Sequence, residues 1–107
     1  MKIRIGLIGT AAAAIGLSAV ALAQNSSSQG YMGAMNKMMQ NMHMQPTGDA
    51  DKDFIMMMIP HHQGAIDMAK VELQYGKDDQ LRKMAQDIIS AQENEIATMK
   101  EWRSKHQ

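Results

Sequence analysis

Two stretches in the C-terminal half place apolar residues at the three- and four-residue steps of an α-helix. In the first, Phe54, Met58, His61, Ala65, Met68, Ala69 and Glu72 share one face. Asp49 and Asp51 suit its N-terminus, and Gly76 suits a left-handed position just past its end near Tyr75. Pro60 lies inside this pattern; it lacks an N–H and crowds the preceding turn, which predicts a kink or a restart. The second stretch begins after Asp78, a good N-cap, and runs to about His106. Its inner stripe is Leu81, Met84, Ala85, Ile88, Gln92, Ile96, Met99 and Trp102. Only Gly76, Lys77 and Asp78 separate the two stretches, so they must fold back on each other as an antiparallel helix hairpin. No strand alternation and no Gly-rich phosphate loop competes with an all-α fold.

The upstream part reads differently. Lys2 and Arg4 precede an apolar run from Ile5 to Val20, and Ala21-Leu22-Ala23 fits the small-x-small cleavage rule. Residues 1–23 therefore read as a signal peptide, which places the remainder, beginning at Gln24, in a periplasm or outside the cell. The other reading of the same run is an uncleaved anchor, since its length is close to the ~17 residues that can span a bilayer. Residues 24–30 are rich in Asn, Ser and Gln and suit a flexible tether. Residues 31–48 form a Met-rich arm that ends in the break Pro46-Thr47-Gly48, and residues 49–107 are the hairpin domain.

At 107 residues the chain holds one small domain at most. Its 11 basic and 11 acidic groups cancel, and loss of Lys2 and Arg4 leaves a slight acidic excess. No field draws nucleic acid or an anionic membrane. The absence of Cys excludes disulfides, thiolate zinc sites, thiol catalysis and a lipoprotein anchor. Two helices alone bury one face each, in a core below the ~70–80 residues that usually suffice unaided. Something must complete it: a metal, a partner chain, or packing by the Met-rich arm. A homodimer forming a four-helix bundle is the simplest completion.

The abnormal count is methionine: 13 residues against one Trp, two Tyr and one Phe. The densest group is the run from Met56 to Ala69. Met58 and His62, and likewise Met57 and His61, are four apart, and Met58 and His61 are three apart, so thioether and imidazole meet on one helix. His61 and His62 point about 100° apart on a regular helix; only a distortion at Pro60 would let them share one ion. Antiparallel pairing about Lys77 sets both at the level of Gln92 to Ile96, with Met99 opposite Met56 and Met57. The expected pocket is lined by Met57, Met58, His61, His62 and Met99, with Gln92 and Glu95 near. Soft thioethers select Cu(I), and Ag(I) by the same softness. Iron, structural zinc and calcium lack their ligand spacings here. Gln92 and Glu95 could instead hold the two His as satisfied core residues.

In the arm, Met32, Met35, Met38, Met39, Met42 and Met44, with His43, occur without Leu, Ile, Val or Phe. They read as a loose array of weaker soft ligands, or as an amphipathic helix covering the hairpin. Met68 and Met84 lie on apolar stripes and suit packing. His106, and Lys70, Lys77, Arg82, Lys83, Lys100, Arg103 and Lys105, read as solvated surface. Ser26 to Ser28, Ser90 and Ser104 have no neighbouring base, and no nucleophile–base–orienter set appears, which argues against an enzyme.

Phe54-x-x-x-Met58-x-x-His61-His62-x-x-Ala65-Ile66-x-Met68-Ala69, followed by Gln92-x-x-Glu95-Ile96-x-x-Met99-x-x-Trp102, resembles the domain of unknown function 305 family over about residues 49–107. The resemblance implies a helical, ferritin-like packing and a relation to exported copper-binding proteins of the CopM type, which support metal tolerance. It implies Met58, His61, His62 and Met99 as ligand positions. The motif occurs once here, whereas the CopM type has two copies, and that difference favours dimerisation. The leading expectation is an exported Cu(I)/Ag(I)-binding protein that buffers the metal or passes it to an acceptor protein. The alternative is a metal-free helical interaction module with a pliable Met surface. A small metalloenzyme or a methionine-based oxidant sink is the third.

Overall fold

The computed structural model describes the backbone of residues 11–107 and the side chains of residues 19–107. The basic head of the leader, Lys2 and Arg4, lies outside the described residues. The chain forms α1 (Ala11–Asn41), α2 (Ala50–Tyr75) and α3 (Asp79–Lys105), with no strand among the described residues. The all-α class and the antiparallel hairpin of α2 and α3 are as expected. α2 is the central element: it packs against α3 on one side and α1 on the other, and among the described residues α1 and α3 do not pack on each other. No described helix is long and apolar enough to cross a membrane.

The helix starts follow the sequence. Asp49 caps α2 by accepting from the amides of Asp51 and Lys52. Asp78 caps α3 by accepting from the Leu81 amide at 2.9 Å. Acidic first turns and the basic last turn of α3 suit the helix dipoles. α2 runs through Pro60 without the expected restart.

The hairpin turn differs from expectation in two ways. Gly76 has φ −68 and ψ 150, so it is extended rather than left-handed; the left-handed glycine is Gly48, at φ 90. Gly76 is needed for space instead, because a Cβ there would lie 2.6 Å from the Glu72 carbonyl oxygen. Arg82 is not plain solvated surface. Its guanidinium reaches back across the turn and donates to the carbonyls of Leu73, at 2.7 Å, and Gly76, at 3.0 Å. It thereby satisfies acceptors that the end of α2 leaves open.

The core lies in the α2–α3 seam. Ile55, Ile66, Ile96 and Met99 are buried together, and Met58, Ile59, Ile89 and Trp102 pack against them. The inward face of α2 is thus rotated from the expected one. Phe54 is 56% exposed and His61 is exposed, while Ile55 and Ile66 are buried. Leu81 and Met84 of the expected α3 stripe are also exposed.

The largest difference lies upstream. Residues 24–30 are helical rather than a tether, and the greater part of the Met-rich arm takes the second of its two readings, a helix on the hairpin, all within α1. The cause is tertiary packing, since Ser, Asn and Gly favour no helix by themselves. Gly30, Ala34 and Met38 recur every four residues on α1, and Met42 continues the row just past its end. Ala34 is buried, and Met38 and Met42 are half-buried. A Cβ on Gly30 would stand 3.1 Å from the Val71 side chain, and one on Gly64 would stand 2.6 Å from the Met38 sulfur. Missing side chains on both helices therefore bring α1 and α2 together. Polar clasps flank this seam: Lys37 with Asp67 at 3.7 Å, and the Tyr31 hydroxyl donating to Glu72 at 3.4 Å. Burial first, and then the Glu72 charge and hydrogen bond, push the Tyr31 hydroxyl above the usual phenol range.

Candidate functional site

The register of the hairpin decides which candidate residues meet. His62 on α2 faces Glu95 on α3, its Nε2 paired with the Glu95 carboxylate. One turn away on each helix stand Met58 and Met99, both in the apolar cluster. In an antiparallel pair that spacing sets the two thioethers level with each other, beside the imidazole. Met99 therefore faces Met58, not Met56 and Met57.

The state of His62 follows from its partner. An ionised carboxylate only accepts, so the proton of the pair belongs on Nε2. In the neutral ring, Nδ1 is then a bare lone pair. That atom is buried and has no hydrogen-bond partner. The imidazole side chain is only 15% exposed, whereas Glu95 is 59% exposed and keeps most of its hydration. A buried polar atom left unmatched costs roughly 1–3 kcal/mol, so its retention asks for a reason. A ring held through one nitrogen by a carboxylate, with the other nitrogen directed elsewhere, is the arrangement that orients metal-binding histidines.

The remaining candidates stand apart. Met57 is 46% exposed. His61 is exposed, with its ring centroid 6.3 Å from that of His62 and the planes tilted by 59°. Gln92 is half-buried and lines a shallow groove with other residues of α3. In the arm, Met38 faces α2 at Gly64, and Met42 is half-buried. Met32, Met35 and Met39, at three- and four-residue steps, lie on the exposed side of α1. His43 and Met44 lie exposed in the connection to α2. No trio of His, Cys, Asp or Glu able to hold a metal occurs among the described residues.

That connection is itself fixed. The Asp53 carboxylate accepts from the Thr47 amide at 2.8 Å, the Thr47 hydroxyl at 2.7 Å and the Gly48 amide at 3.1 Å. The Thr47 amide and hydroxyl, aided by the Gly48 amide, hold the Asp53 carboxyl below its ordinary range. At the far end, His106 stacks on Trp102 at 4.1 Å.

Comparison with known proteins agrees with the sequence motif. The family model described as Domain of unknown function (DUF305) matches residues 10–103. The chain is also similar to Uncharacterized protein L153 of Acanthamoeba polyphaga mimivirus, at 45% identity over 49 residues. That stretch is 46% of this chain and 32% of the viral protein, so the chain spans about a third of that relative.

Proposed function

We propose that this chain, which belongs to the DUF305 family, binds Cu(I), and its soft analogue Ag(I), in the α2–α3 hairpin. Met58, Met99 and His62 Nδ1 are the ligands, and Glu95 holds the ring through Nε2. The observation that carries this reading is the buried, unpartnered Nδ1 of His62, one turn from Met58 and from the Met99 that faces it. Two thioethers and a neutral imidazole form a soft, uncharged donor set, which suits a monovalent soft cation better than zinc or a hard divalent ion. The two thioethers carry no proton to lose, and the imidazole binds in its neutral form. The metal is cargo to be buffered or passed to an acceptor protein, as in the CopM-type exported copper-binding proteins that the motif resembles. No catalytic step is assigned to it.

Export through residues 1–23 and homodimerisation belong to the same proposal. Removal of the leader after Ala23 would keep every α1 contact named above, since all involve Gly30 or later residues. Dimerisation would cover exposed apolar side chains such as Leu81, Met84 and Phe54. The exposed Met32, Met35 and Met39 add weaker, exchangeable soft ligands. The same stripe favours one alternative, a metal-free module that grips an apolar partner through pliable Met side chains.

Anaerobic competition for Cu(I) between the chain and a chromophoric chelator separates the two readings. The metal reading expects micromolar or tighter capture, weakened about tenfold or more by Met58→Leu or Met99→Leu and by His62→Ala, with helicity kept. Failure of the unaltered chain to compete leaves the interaction module.

A further inference from the structure

Met99 is buried and Met58 and His62 are half-buried, so the metal needs a way in. One groove reaches the same core from outside. It has a volume of about 350 Å³, and Met44, Met56, Ile59, Pro60, Ile96 and Lys100 are among its walls. It brings together residues that the sequence keeps apart: Met44 from the connection after α1, Met56 from α2, and Ile96 from α3.

Three observations bear on its use. Met44 is 45% exposed and Met56 is half-buried, so both thioethers are accessible from the groove. Ile59 and Ile96 line the groove and also belong to the cluster that contains Met58 and Met99. The groove and the proposed metal site therefore share a wall. Finally, Lys100 and Arg103 stand at the rim, and neither pairs with a carboxylate among the described residues. Their charge opposes a bare cation and attracts an anionic complex.

We infer that Met44 and Met56 form an outer soft-metal site that accepts Cu(I) from an anionic complex and loads the buried site past Ile59 and Ile96. This rests on the hairpin reading above. The chemistry is ligand exchange: the thioethers replace the carrier's donors, the carrier leaves with its negative charge, and no electron moves. Pro60 assists by position. It offers no N–H to the Met56 carbonyl, so that turn of α2 opens without losing a helical hydrogen bond there.

The route predicts rates, not affinities. Cu(I) is supplied anaerobically as its anionic bis-bicinchoninate complex. Transfer is followed by loss of the complex's colour, and arrival by Trp102 emission, since Trp102 packs on the cluster holding Met99. Met44→Leu with Met56→Leu should slow loading and release alike, about tenfold, and leave the equilibrium constant unchanged within about twofold. Lys100→Gln with Arg103→Gln should slow loading at low salt, and the difference should vanish at high salt. Met44 lies outside the helices, so Met44→Leu alone gives the same reading without disturbing a helix. Unchanged rates in the methionine variants, with wild-type binding intact, overturn the route and leave the hairpin site standing. A loss of affinity as large as the loss of rate also overturns it, because the two methionines would then be equilibrium ligands. A wild-type chain that takes no Cu(I) overturns the hairpin site and the route together.

Discussion

Toward α3, α2 presents Ile55, Ile59, His62 and Ile66; toward α1 it presents Gly64, Asp67, Val71 and Glu72. The first seam is built from branched side chains around one polar pair. The second depends on the absence of side chains, with Gly30 against Val71 and Gly64 against Met38, and on exposed polar clasps. The soft donors divide in the same way. In the first seam Met99 is buried, and Met58 and His62 are half-buried beside it. On α1, Met32, Met35 and Met39 face solvent. Burial fixes a donor's geometry and removes competing water, so the proposed metal binding is tighter in the hairpin than on α1.

The α2–α3 seam depends most on Ile66, which is only 2% exposed. Ile66→Ala should destabilise the hairpin by about 2–4 kcal/mol, read by urea unfolding followed through helical circular dichroism. A cost near zero would mean that the α2–α3 seam is not the core. The next largest effect concerns metal. Glu95→Ala removes the group that fixes the His62 ring and should weaken Cu(I) binding about tenfold to a hundredfold. Its effect on Ag(I) at the exposed methionines of α1 should be nil.

Gly64→Leu tests the other seam. A side chain there meets Met38, and overpacking of this kind costs about 1–3 kcal/mol. The gain in helix propensity over Gly, about 1 kcal/mol, offsets part of it. Amide exchange should quicken in α1 while α2 and α3 stay protected. Uniform loss of protection would show that α1 is integral to the hairpin.

The smallest effect is acid loosening of the α1–α2 connection. The folded state holds the Asp53 carboxyl below its ordinary value. Its contribution is therefore present above the unfolded value and is lost as the pH falls through the lowered folded one. Exchange at the Thr47 and Gly48 amides should rise in that acid range in the wild type. Asp53→Asn should raise it already at neutral pH and remove the acid dependence.

Much of the hairpin was legible because its signals are local. Asp49 and Asp78 are caps by their own chemistry, and three residues between the helices leave only an antiparallel return. That return sets the His pair at the level of Glu95 whatever the side chains do. The face of α2 was not legible, and the reason is specific. Phe54 to Ile59 is an unbroken apolar run, so periodicity alone cannot choose between Phe54 with His61 and Ile55 with His62. The choice is made by packing on Ile96 and Met99, residues forty positions away. The helical state of residues 24–41 was hidden for a similar reason. Gly30 and Ser27 speak for a loop locally, and only the gap at Gly64 and the branch of Val71 make docking of α1 worthwhile. The Gly76 turn was misread because Arg82 and the crowding at Glu72, not a left-handed backbone, close the end of α2.

The division between buried and exposed soft donors can be observed residue by residue. Ag(I), which undergoes no redox cycling, is titrated into the chain while the methyl resonances of all methionines and the ring nitrogens of His62 are followed by NMR. The account predicts that the Met58 and Met99 methyls and His62 Nδ1 shift first and together, saturating at one equivalent per chain, with Met32, Met35 and Met39 moving only afterwards. If the exposed methionines respond first, or if His62 Nδ1 never responds, the buried hairpin is not the metal site.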